Sequence, residues 1–377
     1  GGPPMIAFRL AAAQAGLGHD VELLCYESSG AAERIEAAYA QVPHRQQIRV
    51  HSLRSPRRLE FWSGARASAY IESIIERFDV LHLHGIWEPM LRMAADQAIY
   101  HSKPYFILLN GMLDPWSLSQ KRFKKRLALA MGYRRMLDHA AALHVGNEDE
   151  RRLIEPLHLS APAVIVPNGV FLEELEPLPE PGTFRRQFPQ VADRPFVLFL
   201  SRLHYKKGLD YLADAFTIAA RSMEDLQLVV AGPDGGALEN FAGRIRSADL
   251  VSRVHVVGPL YGQTKLAALV DAHCFCLPSR QEGFSVAITE ALACGTPAVI
   301  SENCHFPEVA QSGAGQVTEL DPQLIAAALL RVCSDAQLRR DMGKAARHLV
   351  EQHYTWPVVA EKTIAMYESH GSLATAQ

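Results

Sequence analysis

Short apolar runs of strand length alternate with stretches of helical period along almost the whole chain. Strands that are separated by helices favour parallel βαβ units, in which helices cover the faces of the sheet. This alternation therefore predicts an α/β protein built from two doubly wound parallel sheets. The predicted strands are residues 21–26, 47–51, 79–84, 104–109, 141–145, 163–167, 195–201, 226–232, 254–258, 274–279 and 297–301.

A proline-rich stretch at residues 175–195 interrupts this alternation and contains five of the 22 prolines. We interpret it as a linker or a domain boundary, which suits a chain of 377 residues. The predicted N-terminal domain spans 1–178 and the predicted C-terminal domain spans 179–356. A helical stretch with one break is predicted at 321–352. The last predicted helix, 357–370, is expected to pack back on the first domain.

The chain opens with two glycines directly before a predicted helix at residues 3–16. A doubly wound domain ordinarily begins with a central strand, so we expect a further strand of about 5–6 residues before Gly1. Gly1 and Gly2 would then form the tight turn between that strand and the helix.

Composition excludes several classes of function. The formal net charge is −3, the isoelectric point is near 6.6, and no basic stripe is interleaved with aromatic residues, so nucleic acid is not an expected partner. No apolar run approaches the roughly 18 residues that a membrane span requires. The six cysteines are scattered through apolar segments without the spacing of a zinc site, which predicts reduced core cysteines and a cytoplasmic protein.

Charged residues and glycines follow the predicted strands of the second domain, where open parallel sheets bind their ligands. Arg202 and Lys207 lie five residues apart in one loop, so both cations can converge on a single anion. Gly232 and Gly235, in the sequence GPDGG, allow a ligand to approach the backbone closely. Taken alone, each of these loops also fits an ordinary solvated turn.

Two carboxylates, Glu282 and Glu290, flank the start of a predicted small-residue helix. Gly283 allows a sharp turn and Ser285 is predicted to cap this helix, whose first N–H groups form a seat for phosphate. No cation stands at a helical spacing to pair Glu290. Because an unpaired buried carboxylate is costly, we expect both glutamates to accept hydrogen bonds from ligand hydroxyl groups. The alternative is one surface glutamate and one structural glutamate.

The motifs SRLHYKKG, VVAGPDGG and PSRQEGFSVAITEALACGTPAVIS resemble those of the retaining glycosyltransferases of family 4. VIVPNGV, NGMLDPW and DVLHLHGIW resemble that family's first domain, so the resemblance covers essentially the whole chain. It implies the GT-B fold, in which two Rossmann-like domains face each other across a cleft. It also implies transfer of a hexose from a nucleotide diphosphate-sugar to a saccharide or lipid-linked saccharide acceptor, in polysaccharide or glycolipid biosynthesis.

The resemblance assigns roles to individual residues. Arg202 and Lys207 would bind the diphosphate of the donor and stabilise it as the leaving group. Glu282 would contact hydroxyls of the transferred sugar, and Glu290 would contact the ribose. The remaining donor contacts that the resemblance implies are Gly1, Gly2, Gly232, Gly235, Gly283, Phe284 and Ser285.

The family needs no metal ion, and this sequence agrees in having no D-x-D motif, the carboxylate pair of metal-dependent transferases. The expected donor is a UDP-sugar or a GDP-sugar, and no further cofactor is implied. The resemblance implies front-face displacement with retention, in which the departing phosphate oxygen takes the acceptor proton.

One residue departs from the family's pattern. Where relatives often read PHGMLDPW, this chain has Asn110 in place of a histidine that usually touches the transferred sugar. Asparagine keeps a donor and an acceptor but loses the titratable ring. A nucleotide-sugar-binding subunit without turnover is therefore one alternative, and a sugar-nucleotide 2-epimerase of the same fold is another.

The N-terminal domain is expected to hold the acceptor. His84, at the end of a predicted strand, is predicted to contact the acceptor or the sugar, as are Asn110 and Asp114. Residues 121–137 contain seven cations, no acidic side chain and an apolar stripe. This pattern is typical of a basic amphipathic helix on an anionic membrane surface, here the inner face of the cell membrane. A solvated helix packed on the sheet is the alternative.

Overall fold

The structure of the protein is a computed structural model. Gly1 and Gly2, and with them the predicted turn and donor contacts of these glycines, lie outside the residues that it describes. The described residues are 3–27, 39–55, 64–191 and 193–371.

The chain forms two compact units. Unit 1 consists of Gly1–Phe171 and Trp356–Gln377, and unit 2 consists of Leu172–Thr355. The boundary predicted from the sequence lay after residue 178.

Unit 1 is built from parallel strands joined by helices. Its strands are β1 (Val21–Tyr26), β2 (Ile48–Leu53), β3 (Leu81–His84), β4 (Tyr105–Leu108), β5 (Ala142–Val145) and β6 (Ala163–Ile165). The α-helices of its described part before residue 171 are α1 (Pro3–Gly16), α2 (Ala65–Ile74), α3 (Pro89–Tyr100), α4 (Pro115–Ser119), α5 (Arg122–Ala128), α6 (Arg134–Asp138) and α7 (Glu148–Ile154). Strands β1 and β2 form one sheet, and β3-β4-β5-β6 form a second in that order.

Unit 2 repeats the alternation around a single parallel sheet. Its strands are β7 (Phe196–Leu200), β8 (Gln227–Ala231), β9 (Val254–Gly258), β10 (Cys274–Leu277), β11 (Ala298–Ser301) and β12 (Gly315–Thr318). Its α-helices are α8 (Thr183–Gln187), α9 (Leu209–Ser222), α10 (Leu238–Ser247), α11 (Gly262–Asp271), α12 (Val286–Ala293), α13 (Glu308–Gln311), α14 (Pro322–Ser334) and α15 (Ala336–His353). Both units are Rossmann-like parallel-sheet domains, as the sequence predicts.

The sheet of unit 2 has the strand order β12-β11-β10-β7-β8-β9. Strands β7 and β10 are therefore neighbours at its centre, and the chain leaves them toward opposite halves of the sheet. Such a switch point opens a crevice at the carboxyl ends of the strands, where ligands bind in this architecture. The loops after β7 and β10 both start at this crevice.

Strand β12 was not predicted from the sequence. It is only four residues long, pairs with β11 alone at the edge of the sheet, and begins with a glycine. A Cβ atom on Gly315 would lie 2.0 Å from the carbonyl oxygen of Ala298, so glycine is needed for the close approach of the two strands. The sequence of β12, GQVT, contains a single large apolar residue, so no apolar run marks it as a strand.

The proline-rich stretch at 175–195 is part of unit 2 rather than a linker. It contains α8, and Phe184 in this helix is fully buried. The carboxylate of Asp271 accepts the backbone N–H groups of Gly182 at 2.5 Å and Phe184 at 2.8 Å. These contacts fix the stretch against α11, although its sequence has little apolar periodicity.

The end of the chain follows the sequence prediction. A break at Asp335 separates α14 from α15, and its carboxylate caps the second helix by accepting the N–H groups of Gln337 and Leu338 at 2.9 Å. The last helix, α16 (Trp356–Gly371), returns to unit 1, where it shares a buried cluster with α1.

Candidate functional site

The loops after β7 and β10 bring together a lysine and a glutamate that the sequence singles out. Lys207 directly precedes Gly208 and α9, and its ammonium group donates to both carboxylate oxygens of Glu282, at 2.6 Å and 2.7 Å. The two side chains are only 19% and 7% exposed. Loss of either partner would leave a buried charge uncompensated.

A glycine allows these two loops to meet. Gly208 has a φ of +68°, and a Cβ atom there would lie 1.8 Å from the carbonyl oxygen of Pro278. Any other residue would therefore push the loops apart and move the ammonium group of Lys207 away from its partner.

Further hydrogen bonds fix the orientation of Glu282. The Ser279 hydroxyl donates to Oε1, and the backbone N–H of Glu282 donates to the carbonyl oxygen of Asn303 at 3.0 Å. The carboxylate is therefore held by a cation and a hydroxyl before any ligand arrives, and its direction is set by the protein.

Glu290, the second predicted carboxylate, is also paired with a lysine. Lys265 of α11 donates to its Oε1 at 2.8 Å, and the two side chains are 23% and 15% exposed. Lys265 does not stand at a helical spacing from Glu290, because it belongs to a different helix. No local pattern in the sequence marks the pair.

The start of α12 presents backbone donors that no described residue accepts. Ser285 occupies the N-cap position, but its side chain makes no capping hydrogen bond, so that predicted detail is wrong. Among the described residues, no acceptor receives the backbone N–H groups of 284–287. Four adjacent donors at the positive end of a helix form a binding place for an anion.

The side chain of Phe284 packs among aromatic rings. Its ring lies 5.8 Å from that of Phe306 and 6.1 Å from that of Tyr354. These aromatic contacts fix the turn through Gly283 into α12. The predicted role of this turn in donor binding stays a prediction.

Gly232 and Gly235 provide room at the end of β8. A Cβ atom on Gly232, whose φ is +146°, would lie 1.8 Å from the carbonyl oxygen of Ser201, and one on Gly235 would lie 3.1 Å from that of Leu203. The N–H of Gly232 donates to Gly258 and that of Gly235 to Leu203, at 2.9 Å and 2.8 Å. These glycines therefore allow close approach but offer no free donor.

The side chain of Arg202 lies beside Gly235, where a Cβ atom would be 3.1 Å from Cγ of the arginine. Its side chain is exposed, and no described residue accepts a hydrogen bond from its guanidinium group. The structure therefore brings Lys207 and Glu282 together but leaves Arg202 unpaired in the same loop as Lys207. An exposed guanidinium keeps all its donors available for an anion.

Histidines form a buried cluster in unit 1. The rings of His82 and His84 are 4.5 Å apart, His144 lies 3.4 Å from His82 between ring nitrogens, and the Tyr367 hydroxyl is 2.7 Å from Nδ1 of His82. Burial lowers the pKa of His82 well below its usual range, that of His84 to about 3 and that of His144 to about 4. The three imidazoles are neutral at pH 7.

Three buried polar atoms at the carboxyl edge of β3 and β4 have no hydrogen-bond partner among the described residues. They are Nδ1 of His84, Nε1 of Trp87 and Nδ2 of Asn110. Buried polar atoms are nearly always satisfied, so three unpaired atoms beside neighbouring strand ends indicate a place for a ligand. Trp87 was not singled out in the sequence, where a lone tryptophan gives no signal.

Asn110 has a backbone conformation that asparagine tolerates well. Its φ is +51°, in the left-handed region that favours glycine and asparagine over most other residues. The next residue, Gly111, donates its N–H to the buried carboxylate of Glu150, which also accepts the N–H of Gly146 at 2.7 Å. Burial raises the pKa of Glu150, and these two N–H groups oppose that rise.

Asp114 has a structural task in the described contacts. It is the N-cap of α4, and its carboxylate accepts the backbone N–H of Ser117. Lys125 of α5 donates to the carbonyl oxygen of Ser117 at 2.6 Å and lies 5.1 Å from the ring centre of Trp87. The predicted acceptor contact of Asp114 stays a prediction.

The basic segment 121–137 is two short helices rather than one. Gly132 adopts a φ of +107° between α5 and α6 and breaks the helical path. Exposed apolar side chains nevertheless line α5 and the residues after it, with Phe123 86% and Leu127 60% exposed. The exposed cations beside them are Lys121, Arg122, Lys124 and Arg126.

All six cysteines are free, and four of them are buried. No helix in the described ranges has the length and apolar character to cross a bilayer. Within the same ranges, no group of three or more His, Cys, Asp or Glu side chains is placed to hold a metal ion.

Comparison with known proteins finds two matching families. The family described as "Glycosyl transferase 4-like domain" matches residues 1–169, and the family described as "Glycosyl transferases group 1" matches residues 182–349. The two matches together cover most of both units.

The relatives by sequence include a phosphatidyl-myo-inositol mannosyltransferase from Mycobacterium leprae. It is 29% identical over 308 residues, which are 78% of this chain and 74% of the relative. A D-inositol 3-phosphate glycosyltransferase from Kineococcus radiotolerans is 30% identical over 258 residues, covering 63% of this chain and 59% of the relative.

Solved structures with a similar fold include HepE of Anabaena in complex with UDP. It superimposes with a TM-score of 0.77 at 17% identity, over 98% of this chain and 96% of HepE. Sucrose-phosphate synthase from Thermosynechococcus elongatus gives a TM-score of 0.71 at 20% identity, over 100% of this chain and 94% of that protein. At these identities the likeness concerns the fold.

Proposed function

Because the chain belongs to the GT-B glycosyltransferases of the family 4 type, we propose that it moves a hexose from a nucleotide diphosphate-sugar to a saccharide or lipid-linked saccharide. The transfer proceeds with retention and without a metal ion. The observation that carries this proposal is the Lys207–Glu282 pair beside the N–H groups of 284–287, for which the described residues offer no acceptor. That combination offers positive charge and oriented oxygen atoms at one switch point of a parallel sheet.

Lys207 and the start of α12 would hold the diphosphate of the donor. An ammonium group has three donors, and the two oxygens of Glu282 take two of them, which leaves the third for a phosphate oxygen. The free guanidinium of Arg202 supplies a planar fork that suits phosphate. These groups would meet the negative charge that grows on the leaving phosphate.

Glu282 and Glu290 would recognise the two sugar rings of the donor. A lysine ammonium group orients each carboxylate, and a carboxylate oxygen can accept more than one hydrogen bond. Glu282 would accept hydroxyls of the transferred hexose, and Glu290 would accept hydroxyls of the ribose. Lys207 and Lys265 compensate the charge of these carboxylates, which reduces their repulsion of a diphosphate.

The acceptor would bind at the carboxyl edge of β3 and β4. His84, Trp87 and Asn110 offer unpaired nitrogen atoms there, and none of the three is charged at pH 7. Neutral hydrogen-bonding groups suit the hydroxyls of a saccharide better than an ionic group. Asp114, the N-cap of α4, would contribute its carboxylate to the same contact.

The reaction would be a front-face displacement. The acceptor oxygen forms a bond to the anomeric carbon on the face from which the phosphate oxygen departs, so the α-configuration is kept. The bond between the anomeric carbon and that phosphate oxygen breaks, and the departing oxygen takes the acceptor proton. The protein contributes position and charge, without a covalent intermediate.

A thermal-shift panel of UDP- and GDP-hexoses, followed by transfer assays, tests the proposal. A donor at 100 times its dissociation constant is expected to add about 2.7 kcal/mol of stability. The same donor with a saccharide acceptor in EDTA is expected to give an α-linked product by NMR. Inversion at the anomeric carbon, loss of transfer in EDTA, or release of an epimerised nucleotide-sugar without acceptor would each contradict it.

We also propose that the exposed face of α5 rests on an anionic membrane surface, at the cytoplasmic side. Phe123 and Leu127 are one helical turn apart and project to solvent beside four exposed cations. An exposed apolar row among cations is the pattern of an interfacial helix. A lipid-linked acceptor would then be presented at the surface where the enzyme rests.

Flotation with phosphatidylglycerol vesicles at moderate salt tests the membrane contact. Binding is expected to anionic vesicles, to weaken about tenfold in a Phe123→Ser, Leu127→Ser double variant, and to disappear on neutral vesicles. Val50→Ser, which changes another exposed apolar side chain of unit 1, serves as the control. Equal flotation of the double variant and the control would contradict the proposal.

A further inference from the structure

The loops that hold Lys207 and Glu282 are also joined by an arginine outside the predicted site. Arg280 donates through Nη1 to Oδ1 of Asp210 at 2.8 Å and through Nη2 to Oδ2 at 2.5 Å. Its Nη1 also donates to the carbonyl oxygen of Tyr205 at 2.8 Å. One guanidinium group thus connects the loop after β10 with both the loop after β7 and the start of α9.

Two aromatic rings hold the same guanidinium group. Its central carbon lies 4.0 Å from the ring centre of Tyr205 and 4.7 Å from that of Tyr211. The side chains of Arg280 and Asp210 are 19% and 26% exposed. A planar cation that stacks on rings while its edge makes a bidentate ion pair is a task for arginine, which lysine cannot reproduce.

Backbone contacts extend this connection along both loops. The N–H of Arg280 donates to the carbonyl oxygen of Lys206 at 2.7 Å, and the Lys206 ammonium donates to Oε1 of Gln281 at 3.0 Å. Residues 205–208 and 278–282 therefore lie against each other along their length, with the Lys207–Glu282 pair at one end.

We propose that Arg280 is a positioning residue for hexose transfer: it fixes the loop of Lys207 against the loop of Glu282. This sets the place at which the ammonium group and the carboxylate meet the donor. The expected effect on turnover rests on the proposed function, whereas the effect on the loop does not. A displacement of about 1 Å at a reacting group costs as much as 10²-fold in rate, so a fixed loop has catalytic value.

Hydrogen exchange of the ligand-free protein tests the role in the loop. The N–H groups of Lys207 and Gly208 donate to His204 and Tyr205 in this loop. Arg280→Gln is expected to speed their exchange about tenfold. Exchange of peptides from unit 1 should not change.

Transfer kinetics test the consequence for the reaction. Arg280→Gln is expected to lower kcat about 10- to 100-fold at saturating donor. Arg280→Lys should recover part of this loss because it keeps the charge next to Asp210. Asp210→Asn should slow transfer and speed loop exchange together, and combining it with Arg280→Gln should add little because both break the same contact.

Arg244→Gln is the matched control, since Arg244 also pairs with an aspartate of α9, Asp214, but in an exposed position. It should change neither loop exchange nor kcat. If Arg280→Gln does not fold, Arg280→Lys and Asp210→Asn provide the same test.

Unchanged exchange at Lys207 in the Arg280 variants would overturn the proposal. So would a loss of kcat without faster exchange, because Arg280 would then act on the substrate itself. If the wild-type protein transferred no hexose from any donor, the proposed function would fail, and the exchange experiment would still decide whether Arg280 positions the loop.

Discussion

The carboxyl edges of the sheets in the two units differ in how their polar groups are partnered. In unit 2, Glu282 and Glu290 each pair with a lysine from another element, and beside them lie the N–H groups of 284–287, which no residue in the described ranges accepts. At the edge of β3 and β4 in unit 1, His84 and Asn110 have buried nitrogen atoms that find no partner in the described part of the chain. The buried imidazoles of that unit are neutral.

This difference reflects what each edge is suited to bind. A charged ligand such as a diphosphate meets preorganised charges whose mutual compensation keeps the unliganded protein stable. A neutral, hydroxyl-rich ligand meets single donors and acceptors, which cost folding energy until the ligand arrives. Removal of a side chain should therefore damage both folding and function in unit 2, but mainly function in unit 1.

The largest loss of turnover is expected from substitution of Lys207. Lys207→Ala should lower turnover at saturating donor about 10²-fold or more, because one preorganised donor to the leaving phosphate is lost. It should also destabilise unit 2, since Glu282 is left buried and unpaired. Steady-state kinetics and denaturant melts measure the two effects.

A double variant separates the two consequences of that change. Lys207→Met with Glu282→Gln removes both charges, so stability should return toward wild type while turnover stays low. Near-wild-type turnover of Lys207→Ala would exclude this lysine from the mechanism.

The neutral histidines of unit 1 predict a dependence of stability on pH. Burial holds their pKa below the ordinary value of 6.5, so the unfolded chain binds more protons than the folded chain as the pH falls below 6.5. Stability should therefore fall by about 0.7 kcal/mol per histidine between pH 7 and pH 6, or about 2 kcal/mol for the three. The loss continues until the pH reaches the folded values of about 3 and 4.

Denaturant melts of His84→Asn across this range check the sign. The stability of the variant should fall less than that of the wild type, by about 0.7 kcal/mol between pH 7 and pH 6. His19→Gln, which changes an exposed histidine, is the control and should follow wild type. A steeper fall in His84→Asn would show that His84 is charged in the folded protein.

A smaller effect is expected from the second lysine of unit 2. Lys265→Met should weaken binding of the nucleoside diphosphate about tenfold, because Glu290 loses the hydrogen bond that directs it toward the ribose. The value of kcat should change little, since the ribose is remote from the bond that breaks. Calorimetric titration of UDP and GDP measures this.

Arg246→Gln, in an exposed ion pair with Glu239, is the control for Lys265→Met. Equal nucleotide affinities of the two variants would show that Lys265 and Glu290 do not contribute to donor binding.

The smallest change in stability is expected at Asn110 of unit 1. Asn110→Gly removes an amide that has no described partner, and glycine adopts the positive φ of this position easily. The free energy of unfolding should therefore change by less than about 0.5 kcal/mol. Transfer should nevertheless fall roughly fivefold, since a contact to the sugar is lost. Denaturant melts and transfer assays on one preparation measure stability and activity together. A large loss of stability with normal transfer would show that Asn110 serves the fold rather than ligand binding.

Local patterns in the sequence were sufficient for most of the fold. Apolar runs of five or six residues located nearly every strand, and the order of strand and helix predicted parallel sheets. The loops after β7 and β10 could then be placed at one edge, and this is why Lys207 and Glu282 could be expected near each other. Strand β12 was missed because its sequence, GQVT, contains a single large apolar residue and so forms no apolar run.

Contacts between distant segments could not be read in the same way. Lys265 reaches Glu290 from another helix, and Asp271 anchors the proline-rich stretch from far along the chain. Gly132 breaks the basic segment because it adopts a positive φ, which a helical pattern of charges does not reveal. For Glu150 a signal existed: asparagine three residues earlier marks a helix start with a carboxylate in its first turn.

Gly208 and Gly232 restrict how the sequence of this protein can evolve. At each position a methyl group would stand 1.8 Å from a carbonyl oxygen. In a library that varies every residue of the chain, these two sites are places where no side chain is acceptable, whatever donor is selected for. New preferences for a sugar would have to arise at their neighbours, with both glycines inherited unchanged.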